Sequence, residues 1–157
     1  MRIGPDAAAR LEGASALIAA GVGPDGAPVA TRAWGAAVQE DGAALRVYLE
    51  ADDTPVLEVL RPGAVIAVTG ADVKRLSSAQ AKGRVRVVEE LTARDVAIRE
   101  RCTELFVQAV HETDGSPRSL IASMVPVRFV AVTIDVDEVY DQTPGPQAGS
   151  SMPAGSA

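Results

Sequence analysis

Residues 73–91 read VKRLSSAQAKGRVRVVEEL, and from 78 to 87 they alternate. Ser78, Gln80, Lys82, Arg84 and Arg86 fall on one side; Ala79, Ala81, Gly83, Val85 and Val87 fall on the other. Successive side chains leave a strand on opposite faces, so the pattern predicts a strand with one buried and one wet face. The whole stretch reads as two strands joined or bent around 77–82. Lys74, Arg75, Lys82, Arg84 and Arg86 all lie here, in a chain with 15 basic residues and a net charge of −6. Such a face is either simply solvated or a place to hold a small anion. Gly83 inside the strand marks a bulge or a close backbone approach.

On the N-terminal side, Asp6 is placed to cap a short helix over 7–11 that stops at Gly13. The apolar run 15–22 reads as a buried strand, the Pro24-Asp25-Gly26 turn follows, and 28–39 is a second strand with a bend at Gly35. Glu40-Asp41-Gly42 is another hairpin turn, and 43–49 is a third strand, which makes an antiparallel meander. Asp53 or Thr54 caps a short helix over 56–60, with Pro55 in its first turn. Residues 64–69, AVIAVT, form an apolar strand, and 70–72 read as a loop.

On the C-terminal side, Thr92-Ala93-Arg94-Asp95 resembles a capping box with Asp in place of Glu. It opens a helix to about His111 whose apolar face is Ile98, Cys102, Leu105, Phe106, Ala109 and Val110. A short helix over 116–124 and a last strand within 127–140 follow. The fold class is therefore mainly β: six or seven antiparallel strands in a closed or split barrel, with one long and two or three short helices. Residues 6–141 make one barrel domain. Residues 142–157 are a Pro/Gly/Ser-rich tail, too polar to form core alone and suited to lie on a neighbour.

Composition narrows the chemistry. At 157 residues the chain suits one domain, and with 47% hydrophobic but only 3% aromatic residues the core is built from Val, Ala, Leu and Ile. One Cys and one His leave no intramolecular disulfide and no Cys/His zinc site, so no metal is expected. No apolar run reaches the ~20 residues of a membrane helix, and nothing resembles a signal peptide. A pI near 4.8 argues against nucleic-acid binding. A cytoplasmic protein without nucleic-acid or membrane partners is expected.

Few residues offer catalysis. Gly21-Val22-Gly23 runs into a hairpin and not a helix, so it is no phosphate loop. His111 reads as a solvated helix end, and Cys102 as a structural thiol. Asp52-Asp53 is explained by a helix N-terminus and Glu89-Glu90 by a solvated strand end. Trp34 either fills core or stacks on a planar ligand. No catalytic residue can be assigned.

The succession PVATRAWG, a turn, LRVYLEADDTPVLEVL, AVIAVTG, SSAQAKGRVRVVEEL and a long helix resembles the pyridoxamine 5′-phosphate oxidase-like FMN-binding split-barrel family over residues 15–140. The resemblance implies a homodimer with flavin at the subunit interface and a small-molecule substrate. It implies cofactor contacts at Thr31, Arg32, Ala33 and Trp34 on the second strand, and at Tyr48 and Leu49 on the third. Ser78, Gln80 and Lys82 match the polar segment before the strand glycine. Thr54-Pro55 stand where the family's pyridoxamine oxidases carry an adjacent Arg-Lys pair that grips the FMN phosphate. Behind Asp52-Asp53, that position calls for Arg32, Lys74, Arg75 or Lys82 as substitute cation. Vitamin B6 oxidation is not expected. The alternatives to an FMN oxidoreductase are a deazaflavin enzyme and a non-catalytic barrel that binds haem or no cofactor.

Overall fold

Six strands close into an antiparallel barrel in the order β1-β2-β3-β6-β5-β4, with β4 returning to pair with β1. The computed structural model describes residues 1–154. The strands are β1 (Ser15–Val22), β2 (Pro28–Gln39), β3 (Ala44–Glu50), β4 (Val65–Asp72), β5 (Ser78–Glu90) and β6 (Phe129–Asp141). Four helices flank them: α1 (Pro5–Glu12), α2 (Thr54–Val59), α3 (Ala93–Asp114) and α4 (Arg118–Ala122). The expected fold class is the observed one.

Small and β-branched residues fill the barrel. Leu17, Ala33, Leu45, Val68, Ala81 and Ile134 belong to one buried cluster, and α1 adds Ala7 and Leu11 to it. Gly4, not Asp6, precedes the first turn of α1 and makes no side-chain cap bond; Pro5 starts the helix and Asp6 sits within that turn. Asp53 flanks α2, also without a side-chain cap bond.

The 73–91 stretch holds one strand, not two. Asp72 folds its carboxylate back to accept from the amides of Lys74 (2.9 Å) and Arg75 (2.8 Å). These bonds close a turn in which Leu76 takes a positive φ of 57°. The residues read as a loop, 70–72, therefore complete β4, and β5 then runs unbroken from Ser78. Gly83 is the bulge: the pairing with β6 shifts at Lys82/Gly83, and a Cβ there would lie 1.8 Å from the Asp135 carbonyl oxygen. The bend at Gly35 is a register shift between Ala33 and Ala36, where φ is +156°.

Helix α3 opens with the reciprocal Thr92–Asp95 capping box and ends at Gly115 in the left-handed conformation. It lies over the outside of β2. Its buried residues include Cys102, Phe106, Val107 and Ala109, whereas Leu105 is exposed. Cys102, Phe106 and Ala109 of the face read in the sequence are thus buried and Val110 packs beside them, while Val107 takes the place expected of Leu105. The tail lies on its own barrel. The Gly149 amide donates to the Asp141 carbonyl (2.7 Å), and the Met152 amide donates to that of Val139 (2.8 Å). The Met152 side chain joins the core cluster. The last three residues of the tail, 155–157, lie outside the described residues.

Candidate functional site

Gln80 and Lys82 of β5 face outward, and rows of cross-strand partners continue from them around the barrel. Cross-strand partners run Arg32 (β2), Ile18 (β1), Thr69 (β4), Gln80 (β5) and Tyr140 (β6). One step along the strands, Ala30, Ala20, Ala67, Lys82 and Glu138 form a parallel row. Direct cross-strand neighbours lie about 4.5–5.5 Å apart at Cβ, so each side chain borders the next while the row winds around the barrel and leaves β2 and β5 on opposite sides. Gln80 Nε2 donates to Thr69 Oγ1 (2.8 Å), and Lys82 Nζ lies 4.8 Å from the Tyr140 ring centre.

Arg32 is the charged end of the row. Its guanidinium carbon lies 4.1 Å from the Phe106 ring centre and 4.7 Å from that of Trp34, two rings set edge to face 6.5 Å apart. Its Nε is buried without a hydrogen-bond partner. No carboxylate pairs with it among the described ion pairs, and burial pulls the guanidinium below its ordinary pKa. A half-buried cation held between two aromatic rings and lacking a counterion is prepared for an anion.

Of the residues singled out in the sequence, Gln80 and Lys82 stand together on β5, whereas Arg32 is on β2, three strands away on the opposite side of the barrel. Thr31 is half-buried, opposite Ala19. Ala33 points into the barrel core, and Trp34 is buried against α3. Leu49 is fully buried in the core, so its side chain offers a ligand nothing. Ser78 is buried and structural: its amide donates to Thr143 Oγ1 (3.0 Å) and its carbonyl accepts from Arg10 Nη1 (3.0 Å). Thr54 is exposed at the start of α2, apart from the row. A cation missed in the sequence stands beside that loop: Arg128 Nη1 pairs with Asp52 at 2.9 Å, and its carbonyl accepts from the Ala51 amide. Nothing local marks Arg128, because it precedes β6 and reaches the loop only through folding.

Tyr48 is fully buried under α3, where it belongs to a second polar cluster. Asp95 accepts from Arg46 Nε (2.7 Å) and Nη2 (2.9 Å), from Tyr48 (3.1 Å), and from the Thr92 amide (2.8 Å) and hydroxyl (2.7 Å). Arg46 also donates to Glu89 (2.7 Å) and Thr133 (2.8 Å). The Arg46 guanidinium holds the Asp95 carboxyl far below the usual carboxylate range, against the opposing effect of burial. Burial, reinforced by the Asp95 charge, pushes the Tyr48 hydroxyl up. Every member is satisfied, so the cluster fastens α3 to the barrel and presents no reactive group.

Cys102 is buried and its thiol pushed up by desolvation; His111 is exposed at the helix end, with Nδ1 2.9 Å from the Ser116 carbonyl. Among the described residues no three His, Cys, Asp or Glu side chains are grouped to hold a metal, and no helix is long and apolar enough to cross a membrane.

No family model matches the chain, and no curated protein does. Solved structures do. HupZ of Group A Streptococcus is 14% identical, covering 92% of this chain and 97% of its own at a TM-score of 0.54. An F420 reductase is 16% identical, covering 83% of this chain and 93% of its own at a TM-score of 0.53. A pyridoxamine 5′-phosphate oxidase-related, FMN-binding protein from Nostoc punctiforme is 15% identical over 85% of this chain, with a TM-score of 0.45. At these identities the likeness is one of fold, and the fold is the split barrel that the sequence resemblance to the pyridoxamine 5′-phosphate oxidase-like proteins called for.

Proposed function

We propose that the chain is a flavin-type oxidoreductase acting on a small molecule, with FMN or a deazaflavin held against the outer barrel face at Arg32 in a homodimer. One observation carries the reading: Arg32 is a half-buried, aromatic-backed cation with an unpartnered Nε and no counterion. FMN and deazaflavins both bring anionic tails, and a guanidinium fork suits phosphate or carboxylate oxygens. The residues present fit such a group. Arg32 supplies charge on β2; Gln80, its amide fixed by Thr69, and Lys82 stand across the barrel on β5 and would serve the same ligand from the second copy.

When bound, the isoalloxazine supplies the electron and hydride chemistry, which explains why the chain needs so little acid–base machinery of its own. Arg32 of one copy and Gln80 and Lys82 of the other would bind and orient. A second copy completes the site and excludes water. Ile18, Val22 and Val65 are 46%, 63% and 57% exposed on the β1–β4 outer face beside the row, an apolar surface that a second copy would cover.

The test is a fluorescence and absorbance titration with FMN and, separately, with a deazaflavin, each followed by desalting. Retention of either cofactor is expected, with Arg32→Ala weakening it about 10- to 100-fold, the worth of one charge-assisted contact. Loss of both cofactors on desalting, or affinity unchanged in Arg32→Ala, would overturn the reading. Haem is the third ligand to titrate, and its retention in place of the other two would convert the assignment to a haem-binding barrel.

A further inference from the structure

We infer that the cleft between α3 and α4 is a second binding site, for a small monocarboxylate with an apolar body. The cleft measures about 290 Å³ and is lined by Arg99, Thr103 and Val107 of α3, by Arg118 and Ala122 of α4, and by Val125 beyond it. That volume is near the lower end of small-molecule pockets and suits a ligand of modest size.

Arg99 is the anchor. Its side chain is only 14% exposed, and its guanidinium carbon lies 4.6 Å from the centre of the Phe129 ring. Its Nε is buried without a hydrogen-bond partner, and its one carboxylate contact is the adjacent Glu100 at 3.1 Å, itself well exposed. A guanidinium fixed on an aromatic face, with a buried donor unused, is arranged to receive a planar acceptor. Arg118 is occupied by contrast: it donates to Gln108 and pairs with Glu104 at 2.6 Å.

The charge balance selects the class of anion. Arg99 and Arg118 are matched in the lining by Glu100 and Glu104. A monoanion can displace the exposed Glu100 from Arg99 one charge for one, whereas a phosphate dianion would add surplus negative charge beside both carboxylates. Val107, Ala122 and Val125 supply the apolar wall. Thr103, whose hydroxyl donates to the Trp34 carbonyl (3.2 Å), joins this cleft to the strand that carries Arg32.

The experiment is an NMR titration of the full chain with benzoate and, in parallel, with inorganic phosphate. Saturable shifts confined to the α3–α4 amides are expected for benzoate and none for phosphate. Arg99→Gln should weaken benzoate at least 10-fold, and so should Val125→Asp, which places a carboxylate on the apolar wall while leaving Arg99 intact. Arg32→Ala should leave benzoate binding unchanged, so failure here is distinguishable from failure at the barrel face. Benzoate that shifts the Arg32 strand instead, that binds both cleft variants as tightly as the parent, or that is matched by phosphate would overturn the assignment.

Discussion

Asp95 can stay ionised inside the protein because five donors converge on it from a β-strand, a cap residue and a tyrosine. Asp95→Ala would leave Arg46 with only the half-exposed Glu89 as counterion and is expected to cost about 3 kcal/mol of stability in urea unfolding. Tyr48→Phe, which removes one neutral donor, should cost about 1 kcal/mol in the same measurement. Asp141 is held down to about 2, chiefly by its bond from Arg10 and then by Thr143. Both carboxyls therefore bind protons less readily folded than unfolded. Their stabilisation is complete above the ordinary carboxylate range of about 4 and is lost as pH falls from there towards 2. Urea midpoints measured across that window should drop steeply, and Asp141→Asn should shallow the slope. At this scale the sequence was partly legible. Gly83 announced its bulge by interrupting an alternating strand, and Thr92 and Asp95 announced a cap by their spacing. That Asp95 also receives a buried arginine was hidden, because Arg46 lies 49 residues away on a strand.

Elements were read best where a turn residue fixes each end. The spans of β1 and β2 are those expected, because Gly13, Pro24-Asp25-Gly26 and Glu40-Asp41-Gly42 leave little choice of boundary. The β4–β5 turn was misread because its stop signal is a side chain, the Asp72 carboxylate, and not a Gly-Pro pair. Asp72→Ala should loosen this hairpin, seen as faster amide exchange at Lys74 and Arg75 with the barrel otherwise unchanged. In α3 the choice of Val107 over Leu105 is set by where α4 packs, since Val107 is buried with Ile121, and helical periodicity alone does not specify that. The tail was legible as polar but not as docked: one methionine carries it. Met152→Ala should lower stability by about 2 kcal/mol, read from the shift in thermal midpoint.

For the molecule as a whole, closure is the governing fact: every strand is paired on both sides, so the barrel offers no free edge for another chain to extend. Association must then use a face, and Ile18, Val22 and Val65 form an apolar one on β1 and β4. If the proposed homodimer forms there, Ile18→Lys combined with Val65→Lys should give a monomer by sedimentation velocity. The barrel should stay folded, since all three residues face outward. Of the candidate site, the sequence displayed the cations and the resemblance supplied their meaning, but the row itself came from the register of five strands. The docking of the tail has one more consequence. Gly4–Ala7 and Met152–Ala154 line a single shallow depression, so the two described ends of the chain meet at one pole of the barrel. A short linker joining them, with new termini opened in the exposed turn at Pro24–Gly26, should yield a circular permutant that folds to the same barrel.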